Sequence, residues 1–173
     1  MKKISPLKFI YYLPLGLIYI SLPIFMIIDF ATNTFSIWIE GKFFPGIIPI
    51  IIIFSLWIND TMAYIVGSLM GRTPLSKISP KKTWEGTIGG VVLTILIAIL
   101  VCKLYGLCGL VIFAAISSVF GTLGDLLESK IKRLAGVKDS GSLLPGHGGF
   151  LDRFDSLLVA TPFVWLYVYF FMR

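Results

Sequence analysis

The segment IIPIIIIFSLWINDTMAYIVGSLM, residues 47–70, decides the fold class. It is almost unbroken apolar sequence, and about 20 such residues cross the hydrocarbon core of a bilayer as one α-helix. Asp60 interrupts it near the middle. An acid at that depth is costly, so it normally faces a polar cavity and a partner. The alternative is a hydrogen bond between packed helices, made by Asn59 and Asp60.

Further segments of the same character flank this one, at about residues 9–28, 87–104, 107–127 and 154–172. The chain is 57% hydrophobic and 14% charged, with a mean hydropathy of +0.92, which excludes an ordinary soluble domain. We expect an all-α, polytopic integral membrane protein with five transmembrane helices. Residues 29–46 mix polar and aromatic residues and are typical of a loop at the membrane interface.

Basic residues are distributed unevenly between the two ends of these helices. The N-terminal tail and residues 72–82 and 130–153 carry 12 of the 15 Lys and Arg residues, and five spans place these regions on one side. The positive-inside rule assigns that side to the cytoplasm. Cys102 and Cys108 flank a short loop on the other side. We expect two small apolar residues near helix ends, with a disulfide as the less favoured alternative.

The acids near this basic side form two pairs with the same spacing. Asp125 and Glu128 close the fourth apolar segment, and Asp152 and Asp155 open the fifth. A spacing of three places both members on one helical face. Two such pairs at one membrane face would supply the oxygen ligands that Mg²⁺ prefers. Ordinary salt bridges, such as Glu128 with Lys132 one turn later, are the alternative.

Two loops carry a pattern typical of phosphate binding. SPKKTWEG, residues 79–86, places Lys81 and Lys82 just before a helix, where free N–H groups and cations can hold an anion. The alternative is a basic anchor at an anionic membrane surface. PGHGG, residues 145–149, can bring its backbone close to an anion. There His147 could contact phosphate, act as an acid–base group or hold the loop.

Together these motifs resemble the CDP-diacylglycerol synthase, or phosphatidate cytidylyltransferase, family. The pattern SxxKRxxxxKDxxxxxPGHGGxxDRxD occupies residues 129–155, and DTxAYxxGxxxG, SPKKTWEG and GDLxES occupy residues 60–71, 79–86 and 124–129. The resemblance covers most of residues 59–157. It implies one transmembrane catalytic domain over residues 1–173, with a motif-bearing core from about residue 45. It also implies a bacterial inner (plasma) membrane location, with the N-terminus and active-site loops in the cytoplasm.

The resemblance implies a Mg²⁺-dependent reaction of CTP with phosphatidic acid, giving CDP-diacylglycerol and pyrophosphate in phospholipid biosynthesis. A two-metal site is expected, and the bilayer is a further partner. No nucleic acid partner is expected, and a homodimer is compatible with the resemblance. The implied catalytic residues are Asp125, Lys138, Asp152 and Asp155. The implied metal ligands are Asp125, Glu128, Asp152 and Asp155. The implied ligands of the substrate phosphates are Asp60, Lys81, Lys82, Lys132, Arg133, His147 and Arg153.

Other functions stay open at this point. A cytidylyltransferase or CTP-dependent kinase acting on another lipid would use the same chemistry, although the PGHGGxxDRxD string favours phosphatidate. An ion carrier would explain Asp60 and the basic loops, but not carboxylates and phosphate-binding loops on one face. A non-catalytic membrane scaffold is the third alternative.

Overall fold

The structure, a computed structural model, describes residues 6–32, 37–39, 42–44, 46–76, 78–137, 140–141, 149 and 151–172. The helices of this part are α1 (Pro6–Ala31), α2 (Ile47–Met70), α3 (Trp84–Tyr105), α4 (Gly109–Leu134) and α5 (Leu151–Phe171). All five are long and apolar enough to cross a bilayer. The predicted helical class and number of spans are confirmed, and the chain is an integral membrane protein.

Several helix ends differ from the apolar boundaries, and two of the differences have a clear physical reason. Helix α3 begins at Trp84 because the side chain of Thr83 caps it, with Oγ1 accepting a hydrogen bond from Gly86 N at 3.1 Å. Helix α4 continues to Leu134 instead of ending near residue 127. Its last turn is rich in good helix formers, and Lys132 and Arg133 there complement the helix dipole. Hydropathy therefore marks the end of an apolar run, not the end of a helix.

The expected interfacial loop at residues 29–46 contains some regular structure. Helix α1 continues to Ala31, and strand β1 (Ile37–Ile39) pairs with strand β2 (Lys42–Phe44) in an antiparallel hairpin. Trp38 stands opposite Phe43 in this register. The hairpin is the departure from an all-helical structure within the described residues.

Helices α2 and α3 pack closely through small residues. A Cβ atom added at Gly86 would lie 2.8 Å from Ala63 O, and one added at Gly90 would lie 2.9 Å from Asn59 O. Such contacts are typical of membrane helices, which gain little from the hydrophobic effect against each other. The contact holds the start of α3 beside the middle of α2, where Asp60 lies.

Helices α4 and α5 approach each other in the same way. A Cβ atom added at Gly124 would lie 2.8 Å from Asp155 O and 3.1 Å from Ser156 Cα. Helix α1 packs on α5, and Trp165 Nε1 donates a hydrogen bond to Asp29 Oδ2 at 3.0 Å. The buried apolar core connects α1, α2, α4 and α5, and consists of Phe30, Ile48, Ile52, Leu56, Phe113, Leu157, Ala160, Val164 and Val168.

Cys102 and Cys108 form a disulfide with Cα atoms 4.4 Å apart, so the expectation of two separate apolar residues was wrong. Gly106 ends α3 in the left-handed conformation, with φ of 74° and its N–H bonded to Cys102 O. That turn brings residue 108 back beside the last turn of α3. The Cα separation lies within the range that a disulfide needs.

Candidate active site

Hydrogen bonds across the loop between α2 and α3 fix the position of the Lys82 backbone. Leu75 N donates to Lys82 O at 2.7 Å, and Trp84 N donates to Thr73 O at 3.0 Å. Thr73 Oγ1 also donates to Glu85 Oε1 at 2.8 Å. These bonds hold the two arms of the loop together, so the backbone that presents Lys82 is fixed from both sides.

Of Lys81 and Lys82, the lysines of this loop that the structure describes, Lys82 reaches the acids. Its ammonium group forms an ion pair with Asp125 on α4. Burial lowers the pKa of Lys82 below its ordinary value, and the nearby carboxylates of Asp60 and Asp155 oppose that shift. The side chain of Lys81 is exposed instead. The adjacent lysines of the sequence motif therefore lie in different surroundings.

The N-terminus of α3 offers less to an anion than its sequence suggested. Thr83 Oγ1 accepts from Gly86 N, Thr83 O accepts from Thr87 N at 2.9 Å, and Thr73 O accepts from Trp84 N. These N–H groups already have partners inside the protein. The positive charge available for a phosphate at this point therefore comes from lysine side chains.

Three carboxylates converge from two helices. Asp125 and Glu128 of α4 and Asp155 of α5 each place one oxygen within 4.8 Å of the others. Glu128 is only 1% exposed and Asp155 8% exposed. The close approach at Gly124 brings the two helices together at this level. We call these three residues the carboxylate cluster.

The carboxylate cluster suits a divalent cation. Lys132 Nζ lies 2.6 Å from Glu128 Oε2, while Oε1 is buried and has no hydrogen-bonding partner among the described residues. A buried, unpaired carboxylate oxygen is costly, and a cation would compensate it. The three oxygens lie within 4.8 Å of one another, and the oxygen ligands of one Mg²⁺ ion are about 3–4 Å apart, so small side-chain adjustments would let the cluster share an ion. The donor set, hard oxygens alone, therefore fits Mg²⁺.

Asp152 lies outside the carboxylate cluster. Its Oδ1 accepts a hydrogen bond from Lys132 Nζ at 2.7 Å. Its Oδ2 accepts from Ser140 N at 3.0 Å and from Gly149 N at 2.6 Å. Both oxygens are thus engaged by the protein, and Asp152 joins the start of α5 to backbone on both sides of residues 142–148. The two acid pairs of the sequence become three clustered carboxylates and a fourth, Asp152, which interacts with Glu128 and is held by Lys132 and the loop backbone.

Asp60 faces polar space, as its position in the sequence predicts. It lines a cavity of about 210 Å³ between α2, α3 and α4, together with Lys82 and Asp125. It also lines a second cavity of about 540 Å³ beside α5, together with Arg153 and Asp155. We call these the lysine cavity and the arginine cavity. Asp60 is the acid that they share.

The remaining predicted residues lie in several places. Arg133 is exposed at the end of α4, where Nη1 donates to Val137 O at 3.4 Å. Lys132 lies between Glu128 and Asp152, which supports the salt bridge that the spacing also allowed. Lys138 and His147 lie outside the described residues.

Sequence reasoning gave Asn59 only a packing role and did not find Thr122. Asn59 is 2% exposed, and its Nδ2 donates to Thr122 Oγ1 at 3.2 Å. Both residues line the lysine cavity. The interhelical hydrogen bond considered for residues 59 and 60 is therefore present at Asn59. No local pattern could have identified Thr122, because it meets Asn59 only through the packing of α2 on α4.

The sequence is similar to a protein family and to several known proteins. The model of the "Cytidylyltransferase family" matches residues 3–171. The chain is 48% identical over 128 residues to "Phosphatidate cytidylyltransferase 4, chloroplastic" of Arabidopsis thaliana, covering 71% of the chain and 33% of the relative. It is 44% identical over 142 residues to the "Phosphatidate cytidylyltransferase" of Synechocystis, covering 76% and 47%.

A relative of the same name from Bacillus subtilis is 48% identical over 115 residues, which are 64% of the chain and 43% of the relative. The chain thus matches between a third and a half of the length of these relatives. The family match, in contrast, extends over nearly the whole chain. On that match, the chain belongs to the cytidylyltransferase family.

Proposed function

We propose that this protein transfers the cytidylyl group of CTP to phosphatidic acid, giving CDP-diacylglycerol and pyrophosphate in phospholipid biosynthesis. The observation that carries the proposal is the carboxylate cluster with Lys82 beside it, at one end of a membrane-spanning bundle. Anionic phosphates need compensating charge and metal ligands, and a lipid substrate needs access from the bilayer. The relatives named phosphatidate cytidylyltransferase support the same reaction.

The proposed reaction is an in-line displacement at phosphorus. A phosphate oxygen of phosphatidate attacks the α-phosphorus of CTP and forms the new P–O bond. The bond from the α-phosphorus to the oxygen that bridges it to the β-phosphorus breaks, and pyrophosphate leaves with that electron pair. Phosphatidate is already ionised, so no side chain has to remove a proton. Alignment of the two phosphates and stabilisation of their charge would therefore supply most of the rate acceleration.

The charged residues divide this work by position. Asp125, Glu128 and Asp155 would hold Mg²⁺, which when bound would neutralise phosphate charge and polarise the reacting group. Lys82 would bind a phosphate of CTP in the lysine cavity, and Arg153 the phosphate of the lipid in the arginine cavity. Asp152 and Lys132 would hold the ends of the adjoining loop in place. Metal ligation by Asp152, catalysis by Lys138, and phosphate contacts by Lys81, Arg133 and His147 stay predictions of the sequence motifs alone.

The proposed orientation places this site in the cytoplasm, where CTP is available. The Lys and Arg asymmetry favours it. The Cys102–Cys108 disulfide supports it, because it lies at the opposite end of α4 from Lys132 and disulfides persist in oxidising compartments. Cysteines introduced at residues 77 and 140, in a chain without Cys102 and Cys108, should react with an impermeant thiol reagent only after cell lysis. Labelling in intact cells would show that these loops lie outside the cell and that the proposed orientation is wrong.

The decisive experiment is incorporation of radiolabelled CTP into lipid by the purified protein in detergent, with phosphatidic acid and Mg²⁺. We expect labelled CDP-diacylglycerol and an equal amount of pyrophosphate. Asp125→Asn, which changes the carboxylate cluster, should lose most of this activity. Asp29→Asn is its matched control, because Asp29 contacts Trp165 away from the carboxylate cluster. If labelled product formed only from another lipid phosphate, that lipid would replace phosphatidic acid as the proposed substrate. No labelled lipid from any lipid phosphate, with Asp60-dependent ion flux in liposomes, would replace the enzyme with a carrier.

A further inference from the structure

A large apolar cavity lies between α1, α2 and α5. Its volume is about 1050 Å³, and its lining includes Ile24, Ile27, Ile53, Phe154 and Leu158. That volume is at the upper end of the range of about 300–1,000 Å³ that ligand pockets span. No charged residue lines it within the described part of the chain. Apart from Ser140, Gly141 and Gly149 at one end, the lining is apolar, so the cavity suits a large apolar group better than a nucleotide.

This apolar cavity adjoins the arginine cavity of the candidate site. Ile53, Phe154 and Leu157 line both. Arg153 is next to Phe154 in sequence and lines only the arginine cavity. Asp60, Asp152 and Asp155 line the arginine cavity together with Arg153, so a phosphate there would also need the proposed Mg²⁺ to offset the acids. This charged space passes directly into apolar space across one shared wall. This is the division of polarity that an anionic lipid has within a single molecule.

The apolar cavity also has a route to the bilayer. Ile20, Ile24 and Ile28 of α1 line it at successive intervals of four, so they form one stripe along that helix. They are 40%, 43% and 54% exposed, whereas Leu158 on the far wall is 4% exposed. The cavity is therefore open along α1 and closed against α5. A chain could enter sideways from the membrane without crossing water.

We propose that the apolar cavity holds an acyl chain of the lipid substrate while its phosphate lies in the arginine cavity. This inference rests on the proposed function and adds the residues that would determine acyl-chain use. The alternative occupant is an ordinary membrane lipid that has no connection with the reaction. The two differ in one respect: only a substrate chain affects turnover according to its length.

The first test narrows the cavity from its open side. Ile24→Trp adds bulk to the stripe on α1, and Leu96→Trp is the matched control, because Leu96 is 53% exposed on α3 and lies outside the cavity. kcat/KM is measured with dihexanoyl and with dioleoyl phosphatidic acid. We expect Ile24→Trp to lower the dioleoyl value about tenfold more than the dihexanoyl value, since excluding a few methylene groups is enough for that ratio. The proposal would be overturned if the ratio of kcat/KM for dioleoyl to that for dihexanoyl phosphatidic acid were the same in wild type and in Ile24→Trp.

A second test uses binding and needs no turnover. Phosphatidic acid with a photoactivatable diazirine near the end of one chain is crosslinked to the wild-type protein in dodecyl maltoside micelles, and labelled peptides are identified. We expect labelling of the α1 stripe that excess dioleoyl phosphatidic acid reduces, but excess phosphatidylcholine does not. Equal competition by both lipids would identify an ordinary membrane lipid and contradict the inference.

The two proposals can fail separately. Competed labelling of the stripe without CDP-lipid formation from either substrate would remove the proposed transferase activity and keep a phosphatidate-binding cavity. Turnover with the same dependence on chain length in Ile24→Trp and wild type would keep the transferase and remove the cavity as its acyl-chain site.

Discussion

The start of α5 and the end of α4 carry acid pairs of the same spacing, yet their carboxylates have different surroundings. Asp125 and Glu128 both join the carboxylate cluster. Of the α5 pair, Asp155 joins it, whereas Asp152 is engaged by Lys132 and by two backbone N–H groups. A spacing of three places two acids on one helical face. What the neighbouring helix and loop present to that face then decides whether an acid is available to a ligand.

The largest fall in activity is expected when a charge is removed from the carboxylate cluster. Asp155→Asn or Asp125→Asn keeps the shape but removes a proposed metal ligand. We expect kcat to fall by at least about 10²-fold, the scale of losing a principal electrostatic stabiliser. The variants should fold, with Asp29→Asn as the control for a charge change elsewhere. Turnover near wild type at saturating Mg²⁺ would refute the assignment.

The next effect concerns the cation beside the cluster. Lys82→Ala should lower kcat/KM for CTP by about 10- to 100-fold, the scale of a lost hydrogen bond between charged groups. Lys82→Arg should restore only part of it, because a planar guanidinium does not reproduce a compact ammonium. The exposed neighbour provides the matched variant, and Lys81→Ala should cost less. Equal losses at both positions would show that the ion pair with Asp125 does not distinguish them.

A smaller loss of activity is expected from changing Asp152, the acid that is not part of the carboxylate cluster. Asp152→Asn weakens the contact with Lys132 and the backbone bonds that fix the start of α5. We expect kcat to fall about tenfold, consistent with losing one charge-assisted hydrogen bond. The Mg²⁺ concentration for half-maximal activity should stay unchanged. A large shift in that concentration would instead make Asp152 a metal ligand, as its sequence motif predicts.

The last prediction concerns the free energy of unfolding and the close contact between α4 and α5 that aligns the acids. Gly124→Ala places a methyl group against Asp155 O and should lower stability by about 1–3 kcal/mol through overpacking. Gly109→Ala on the same helix meets no neighbouring atom within 4 Å and should be tolerated. Thermal unfolding in detergent compares the two variants. Equal unfolding temperatures would show that the α4–α5 contact does not need a glycine at residue 124.

Features that depend on apolar length were predictable from the sequence. The boundaries of α2 agree with the prediction to the residue, because Gly46 and Gly71 bound a long and mostly apolar run. The end of α4 was not predictable from hydropathy, since the helix continues through charged residues that favour helix. The disulfide was judged less favoured because sequence alone does not show how sharply the turn at Gly106 reverses the chain.

That acids of α4 and α5 lie near one another was predictable from the sequence, but their arrangement was not. Asp60 was expected in a polar cavity and lies there, because burying an acid among lipid is too costly. The division of the four acids depends on contacts across helices and loops. Lys132, for example, bridges Glu128 and Asp152 from two different elements. Spacing along one helix carries no information about such contacts.

Direct measurement of metal binding tests the central claim, that acids from both α4 and α5 form one cation site. Mn²⁺ would be titrated into purified protein, with free Mn²⁺ followed by electron paramagnetic resonance and Mg²⁺ used as competitor. We predict a site in wild type and in Asp152→Asn that Mg²⁺ displaces, and a Kd at least about tenfold weaker in Asp155→Asn, because one charged ligand is lost. Wild-type affinity in Asp155→Asn, with loss of the site in Asp152→Asn, would contradict the account.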